Sequence, residues 1–285
     1  MLAQNDYAVS RACRMLGLSR SNYYYTPPEP EDQRVEAAIR QVTEAYAAYG
    51  TRRVTAQLRR PPHQLRVNRK RVQRIMRQKG WLRTVRKRTV RTTDSQHPYP
   101  RYPNLLRDLE MVFPDQVWVA DITYIRLAQE FVYLAIVLDV FTRNVRGWCL
   151  SRLLDQELTL AALRMALEQR MPQIHHSDQG VQYAAQAYSD LLNGHHIQIS
   201  MAAIGKAQEN GYAERFMRTI KEEEVDLSEY RNFADAWAQI GHFIEDVYNR
   251  KRIHSALGYL TPVEFELAWR LARTQPFQEA PLSTA

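Results

Sequence analysis

The alternation of apolar and polar positions divides the chain into a helical front and a body of alternating strands and helices. Residues 7–25 read as a short helix, a turn at Gly17 and a second helix capped by Ser19, the order of a helix-turn-helix. Its second helix would present Arg20, Ser21 and Tyr23 to a groove. Pro27, Pro28 and Pro30 then interrupt the pattern. From Asp32, Val35, Ile39 and Val42 share one helical stripe. A second helix covers 54–58 before Pro61 and Pro62. A third turns Val72, Ile75 and Met76 inward and carries Arg69, Lys70, Arg71, Arg74 and Arg77 on its other sides. Periodicity then fails between Arg83 and Pro103, as in a linker that frees the front from the body.

In the body, strand-like runs at 117–125, 131–140 and 145–150 are separated by short polar turns, which predicts an antiparallel meander. A helix at 157–169, a strand at 174–177, a helix at 183–192 and a strand at 197–200 follow. The expected fold class is α/β, a mixed sheet flanked by helices and preceded by small all-α segments. After residues 206–210 comes a helix with Ala213, Phe216 and Ile220 buried. Trp237, Ile240, Ile244 and Val247 would clamp a last helix to the core. The expected units are 1–26, 32–92, a linker 93–111, a core 112–228, a helical extension 229–270 and a disordered tail 271–285.

Charge changes the picture. Residues 1–112 hold 23 Lys and Arg against 9 Asp and Glu, while 113–285 hold 16 against 22. No acid occurs between Glu44 and Asp94. A solvated basic face explains this less well than a polyanion partner, and Arg52, Arg53, Lys70, Arg71 and Arg74 are the expected DNA contacts of this region. For any single arginine, covering apolar surface with its stem is an equal alternative. Cys13 and Cys149 have no ligand spacing, and no signal or membrane-spanning segment is seen, so a cytoplasmic protein with access to DNA is expected.

Three acids carry the candidate chemistry. Asp121 interrupts an apolar strand, Asp178 ends the fourth strand, and Glu214 lies on the helix after residue 210. If strands one and four are neighbours, the two aspartates approach. Carboxylates gathered in one cleft stay ionised when a hard cation sits among them, and magnesium takes such oxygen ligands while substrate phosphates complete its shell. Two ions roughly 4 Å apart can serve an in-line displacement at phosphorus. The rival for Glu214 is a surface pair with Arg218, worth ~0.3 to 0.5 kcal/mol. Arg218 and Lys221, on the flank beside Glu214, are further candidate DNA contacts.

Other acids and histidines have simpler readings. His175 and His176 point to opposite faces of a strand, so a shared ion is not expected. Asp139 reads as a salt-bridged or loop-facing acid, and Glu222, Glu223 and Glu224 as a solvated helix end. For Arg252 and His254, core packing and DNA contact stand equal.

The segments Trp118-x-x-Asp121-Ile122-Thr123-Tyr124-Ile125, Leu138-Asp139-x-Phe141-x-Arg143, His176-Ser177-Asp178-x-Gly180-x-Gln182-Tyr183 and Asn210-x-x-Ala213-Glu214-x-Phe216 resemble the integrase core of bacterial insertion-sequence transposases. Tyr248-Asn249-x-x-Arg252-x-His254-x-x-Leu257-Gly258-Tyr259-x-Thr261-Pro262 agrees, as do Tyr49-Gly50-x-Arg52-Arg53 and Val67-Asn68-x-Lys70-Arg71-Val72 in the front. The chain is similar to insertion sequence family three. That resemblance implies a ribonuclease-H-like core and an Asp-Asp-Glu polynucleotidyl transferase with Asp121, Asp178 and Glu214 as catalytic metal ligands. It implies two Mg2+ ions, with Mn2+ able to substitute, and DNA cleavage followed by strand transfer from a 3′-hydroxyl. It also implies partners: DNA ends and target, further copies of the chain in a dimer or higher oligomer, and an upstream-frame protein, in a bacterial cytoplasm and on its nucleoid. Ala120, Arg215 and Ile253 stand where many relatives carry Thr, Ser and Pro. A DNA-binding regulator with an inactive body, and a nuclease that cuts without joining, are the alternatives.

Overall fold

The computed structural model describes residues 9–24, 32–83, 101–203 and 207–274. Helix α1 (Val9–Met15) ends at Gly17, whose φ of +63° is left-handed, and the Leu18 N–H donates to the Cys13 carbonyl at 2.9 Å. At the start of α2 (Arg20–Tyr24), Ser19 Oγ accepts from the Asn22 N–H at 3.1 Å, the expected cap. Residues 1–8 and 25–31 lie outside the described residues.

Helices α3 (Asp32–Ala45), α4 (Thr51–Leu58) and α5 (Arg69–Gln78) enclose Ile39, Val42, Val54, Leu58, Val72 and Met76. The Asn68 side chain caps α5, accepting from the Lys70 N–H at 2.8 Å. Ile253, from the far end of the chain, completes this cluster, and its N–H donates to the Tyr49 hydroxyl at 3.0 Å. Ion pairs Arg53–Glu223 and Arg60–Glu264 cross the same boundary. The front is therefore docked on the body, where the sequence leads one to expect a freely moving head. Downstream, residues 101–111 run along the body. The Leu105 N–H donates to Ser200 Oγ at 2.9 Å and Asn104 Nδ2 to Glu209 at 2.8 Å, while Leu106, Leu109 and Met111 pack on the core. Residues 84–100, which include the start of the expected linker, lie outside the described residues.

Strands β1 (Val117–Arg126), β2 (Phe131–Asp139) and β3 (Val145–Ser151) form the expected antiparallel meander. Helix α6 (Gln156–Leu167) follows, then β4 (Ile174–Ser177), α7 (Val181–Ala184), α8 (Gln186–Gly194) and β5 (Gln198–Met201). The sheet order is β3-β2-β1-β4-β5, with β1, β4 and β5 parallel, so strands one and four are neighbours. Helices α9 (Gly211–Ile220), α10 (Phe233–His242) and α11 (Pro262–Thr274) follow in the described residues.

Side chains of β1 alternate between the two faces. Trp118 and Ala120 enter the core covered by α6 and α8; Val117 and Val119 enter the one covered by α9 and α10. Asp121, two residues on from Val119, therefore faces α9. On β3, a Cβ at Gly147 would stand 2.1 Å from the Ala162 carbonyl oxygen, so strand and α6 meet at backbone distance.

The structure departs from the sequence-based expectation in three elements. The helix expected at 183–192 is broken at Ala185, whose ψ of 143° is extended, into α7 and α8. α10 runs into a wide π turn, Phe243–Tyr248, which changes the phase of its stripe. Ile240 and Ile244 are buried and Val247 packs on the core as expected, together with Ala236 and Tyr248, while Trp237 is 51% exposed and rests on Trp148 at a ring distance of 5.4 Å. Finally, α11 continues to Thr274, past the expected start of the tail at 271, and residues 275–285 lie outside the described residues.

Candidate active site

In the β1–β4 ladder Val117 stands opposite Ile174 and Val119 opposite His176. Continuing that offset sets Asp178 level with Asp121, on strands about 4.8 Å apart. The ladder stops before them. Asn210 Nδ2 instead donates to the Ala120 carbonyl at 2.9 Å, which ties the start of α9 to the peptide beside Asp121. Glu214 lies four residues after Asn210 and so on the same side of α9.

Asp121 accepts from the Ile122 N–H at 2.8 Å and Asp178 from the Gly180 N–H at 3.0 Å. Burial, and then the charges of Asp178 and Glu214, push the Asp121 carboxyl up to about 8, against the Ile122 amide and the Lys221 charge. Lys221 sits beside this group with its ammonium 4.8 Å from the Tyr124 ring centre. Burial draws its pKa down, opposed by the Asp121 and Asp226 charges. Among the described residues no three His, Cys, Asp or Glu side chains are gathered tightly enough to enclose an ion. The donor set nevertheless suits a hard divalent cation: three carboxylates from β1, the end of β4 and α9, whose repulsion at Asp121 such an ion would relieve.

Two further groups border the aspartates, and nothing in the sequence pattern assigns them a role. The Tyr183 hydroxyl is buried without a hydrogen-bond partner among the described residues. Its pKa is pushed well up by burial, then by Tyr188 and the charges of Asp121 and Asp178. Asn210 holds α9 in place. Its spacing, one helical turn before Glu214, is the signal that could have found it.

The other polar groups resolve into structural parts. His175 meets the Tyr188 hydroxyl at 3.0 Å on one face, and His176 Nδ1 meets Ser200 Oγ at 2.8 Å on the other. Burial lowers them to about 3 and about 4. Asp139 is fully buried and accepts from the Asp115, Phe141 and Thr142 amides, with Arg146 3.5 Å away. The acidic run at 222–224 is not a solvated helix end. Glu222 pairs with Arg83, Glu223 is buried against Arg53 and Arg252, and Glu224 accepts from Ser228 and Tyr230. Arg252 packs in the core, and His254 lies edge-on to Tyr248 with ring centres 4.9 Å apart, so packing accounts for both.

The expected DNA contacts fall into two groups. Arg20, Ser21 and Tyr23 are exposed on α2; Arg52, Lys70 and Arg218 are exposed and have no carboxylate partner among the described residues. Arg53 is instead bound to Glu223, and Arg71 and Arg74 share Asp32 at the start of α3. These three guanidinium groups serve the fold, because acids distant in sequence reach them.

An Integrase core domain family matches residues 113–207, a second Integrase core domain family residues 195–262, and an HTH-like domain family residues 30–89. The chain is 35% identical over 266 residues to the insertion element IS600 uncharacterized 31 kDa protein of Shigella sonnei, covering 89% of this chain and 96% of that protein. It is 31% identical to the transposase for insertion sequence element IS629 of Shigella sonnei, covering 93% and 94%. It is 30% identical to transposase InsF for insertion sequence IS3A of Escherichia coli (strain K12), covering 92% and 95%. The chain belongs to the insertion sequence family three transposases. The ribonuclease-H-like sheet of this family three member is also found in a simian T-cell lymphotropic virus intasome in complex with PP2A regulatory subunit B56 gamma. The two align at 15% identity with a TM-score of 0.50, over 87% of this chain and 80% of that one, a likeness of fold. Among the described residues of this transposase-family chain, no helix is long and apolar enough to cross a membrane.

Proposed function

We propose that this chain cuts and joins DNA strands as the transposase of a bacterial insertion sequence, with Asp121, Asp178 and Glu214 as its catalytic carboxylates. The observation that carries this reading is the coupling at Asp121. The β1–β4 register sets Asp178 level with Asp121, Asn210 ties the start of the helix carrying Glu214 beside them, and burial there sets the charges of Asp178 and Glu214 against Asp121, a costly arrangement that chemistry explains better than folding does. Their oxygens would hold two magnesium ions, or manganese in their place, which when bound activate the attacking oxygen and neutralise charge on the departing one. Asp121 is oriented from the central strand by the Ile122 amide, and Asp178 by the Gly180 amide. Asn210 fixes the approach of Glu214.

The reaction is two displacements at phosphorus. A water oxygen first bonds to phosphorus at the element end, and the 3′-oxygen leaves as a hydroxyl. That hydroxyl then loses its proton as its oxygen bonds to phosphorus in the target strand, and the target's own 3′-oxygen leaves and takes up a proton. Lys221 lies where it can contact a phosphate beside the reacting one. Arg20, Ser21, Tyr23, Arg52, Lys70 and Arg218 supply DNA contacts outside it. Bridging two element ends calls for a dimer or higher oligomer. We place the protein in the cytoplasm on the nucleoid, with the upstream-frame protein as a further partner.

The test uses labelled DNA carrying the element ends, magnesium, and purified wild type beside Asp121→Asn, Asp178→Asn and Glu214→Gln. Nicked and joined strands are expected from wild type and none from the variants, with DNA affinity retained. Tight binding by wild type without strand chemistry would instead point to a DNA-binding regulator, and cutting without joining to a nuclease.

A further inference from the structure

The arginines of α4 and its C-terminal end form two pairs spaced seven residues apart, and the two pairs have different fates. Arg53 and Arg60 turn to the body, where they meet Glu223 and Glu264. Arg52 and Arg59, one position earlier and so about 100° round the helix, are exposed and have no carboxylate partner among the described residues. They open onto two adjoining cavities of about 480 and 530 Å³, which share Arg52, Arg69 and Tyr259 as walls. Arg69, at the start of α5, is likewise exposed and unpaired among the described residues. The far wall comes from the body: Ser255 and the turn at Gly258 and Tyr259, the last two with left-handed φ. Among the described residues no acidic side chain lines either cavity.

This turn is rigidly held. The Tyr259 N–H donates to the His254 carbonyl at 2.8 Å, and its side chain packs against the buried cluster of the front. The groove is therefore made by two parts of the chain held together by ion pairs and a shared core. Three guanidinium groups without a carboxylate partner among the described residues line one open groove and match successive phosphates of a nucleic acid backbone, whose contacts give affinity without base information.

We infer that the groove between α4, α5 and the turn at 255–260 is a DNA-backbone site built jointly by the helical front and the catalytic body. It rests on the DNA-acting function proposed above and adds Arg59, Arg69, Ser255 and Tyr259 to the surface that grips the duplex. DNA held here is fixed relative to Asp121 through the docked front, without a flexible tether in between.

The experiment measures binding of a scrambled-sequence 30-base-pair duplex by fluorescence anisotropy over a range of salt. It compares wild type, the triple variant Arg52→Ala/Arg59→Ala/Arg69→Ala, the body-side variant Ser255→Asp, and Arg170→Ala, an exposed arginine that does not line the groove. Every phosphate that the protein no longer neutralises lowers the slope of log K against log salt by roughly 0.9, so the slope of the triple variant should fall by about two to three units. Ser255→Asp should weaken binding roughly fivefold or more, because it adds like charge beside the phosphates. Arg170→Ala and all unfolding midpoints should stay as in wild type. Wild-type affinity and slope in both groove variants would overturn the site while leaving the proposed function intact. Weakening in the triple variant alone would overturn the body's share in it. A wild-type protein that binds no duplex would overturn the function itself.

Discussion

Glu223 and Arg252 are joined by two parallel hydrogen bonds, Nε to Oε2 at 2.7 Å and Nη2 to Oε1 at 2.8 Å, with side chains 8% and 6% exposed. Arg53 adds a third bond to the same carboxylate at 2.9 Å. One acid thus fastens the extension of α9 to both the C-terminal segment and the helical front. Removing it strands a buried guanidinium, which costs about 3 to 5 kcal/mol, whereas replacing both partners by apolar groups can be neutral. Urea unfolding should show that loss in Glu223→Ala and recovery of most of it in Glu223→Leu/Arg252→Met. A double variant as unstable as the single one would refute the stranded-charge account.

The same carboxylate sets a pH window. Burial alone would raise Glu223; the hydrogen bonds and charge of Arg252, then the charge and bond of Arg53, outweigh it and hold it at about 2. A carboxyl lowered on folding contributes stability that is present above its ordinary value of 4.5 and lost as pH falls through about 2. The stability gap between wild type and Glu223→Gln should therefore be constant above pH 4.5 and narrow towards pH 2. Unfolding midpoints across that range decide it, and a gap that ignores pH would count against the ion pair as its source.

Asn210→Ala removes the side chain that satisfies the Ala120 carbonyl. An unsatisfied buried acceptor costs about 1 to 3 kcal/mol. Because the bond also positions α9, strand cutting should fall while duplex affinity stays, as single-turnover cleavage and anisotropy would show. Equal losses in cleavage and binding would mean that Asn210 acts on DNA rather than on Glu214.

Gly147→Ala tests how closely β3 and α6 approach. Its Cβ would meet the Ala162 carbonyl oxygen at 2.1 Å and the Ala166 nitrogen at 2.8 Å, both backbone atoms. Overpacking against backbone should cost about 3 kcal/mol or more, read as a lowered melting temperature. A variant that melts like wild type would show that the two elements can separate freely.

Much of the site was legible because its cues are local. Asp121 breaks an apolar run of period two, so one count along β1 names the face it occupies, and the strand-helix alternation after 150 brings β4 beside β1. What the sequence hid depends on partners far along the chain. Arg53, Arg71 and Arg74 look alike as exposed cations until Glu223, 170 residues from Arg53, and Asp32 reach them. The docking of the front was invisible for the same reason, since Ile253 reads as one more apolar residue in the tail. Trp237 was misplaced because Ala236, its neighbour in the same regular stretch of α10, takes the core-facing position one turn before Ile240, and a small residue there does not stand out beside a tryptophan.

β1 is the middle strand of five, bonded to β2 along its length and to β4 as far as Val119, so that its first residues are bonded on both sides. Their amides belong to the part of a sheet that exchanges with solvent last, since freeing them requires the neighbouring ladders to open as well. Asp121 stands two residues past that doubly bonded stretch, where the bond from Asn210 to the Ala120 carbonyl takes the place of the missing ladder. Surface loops can fluctuate many times while the strand that carries this carboxylate keeps its place.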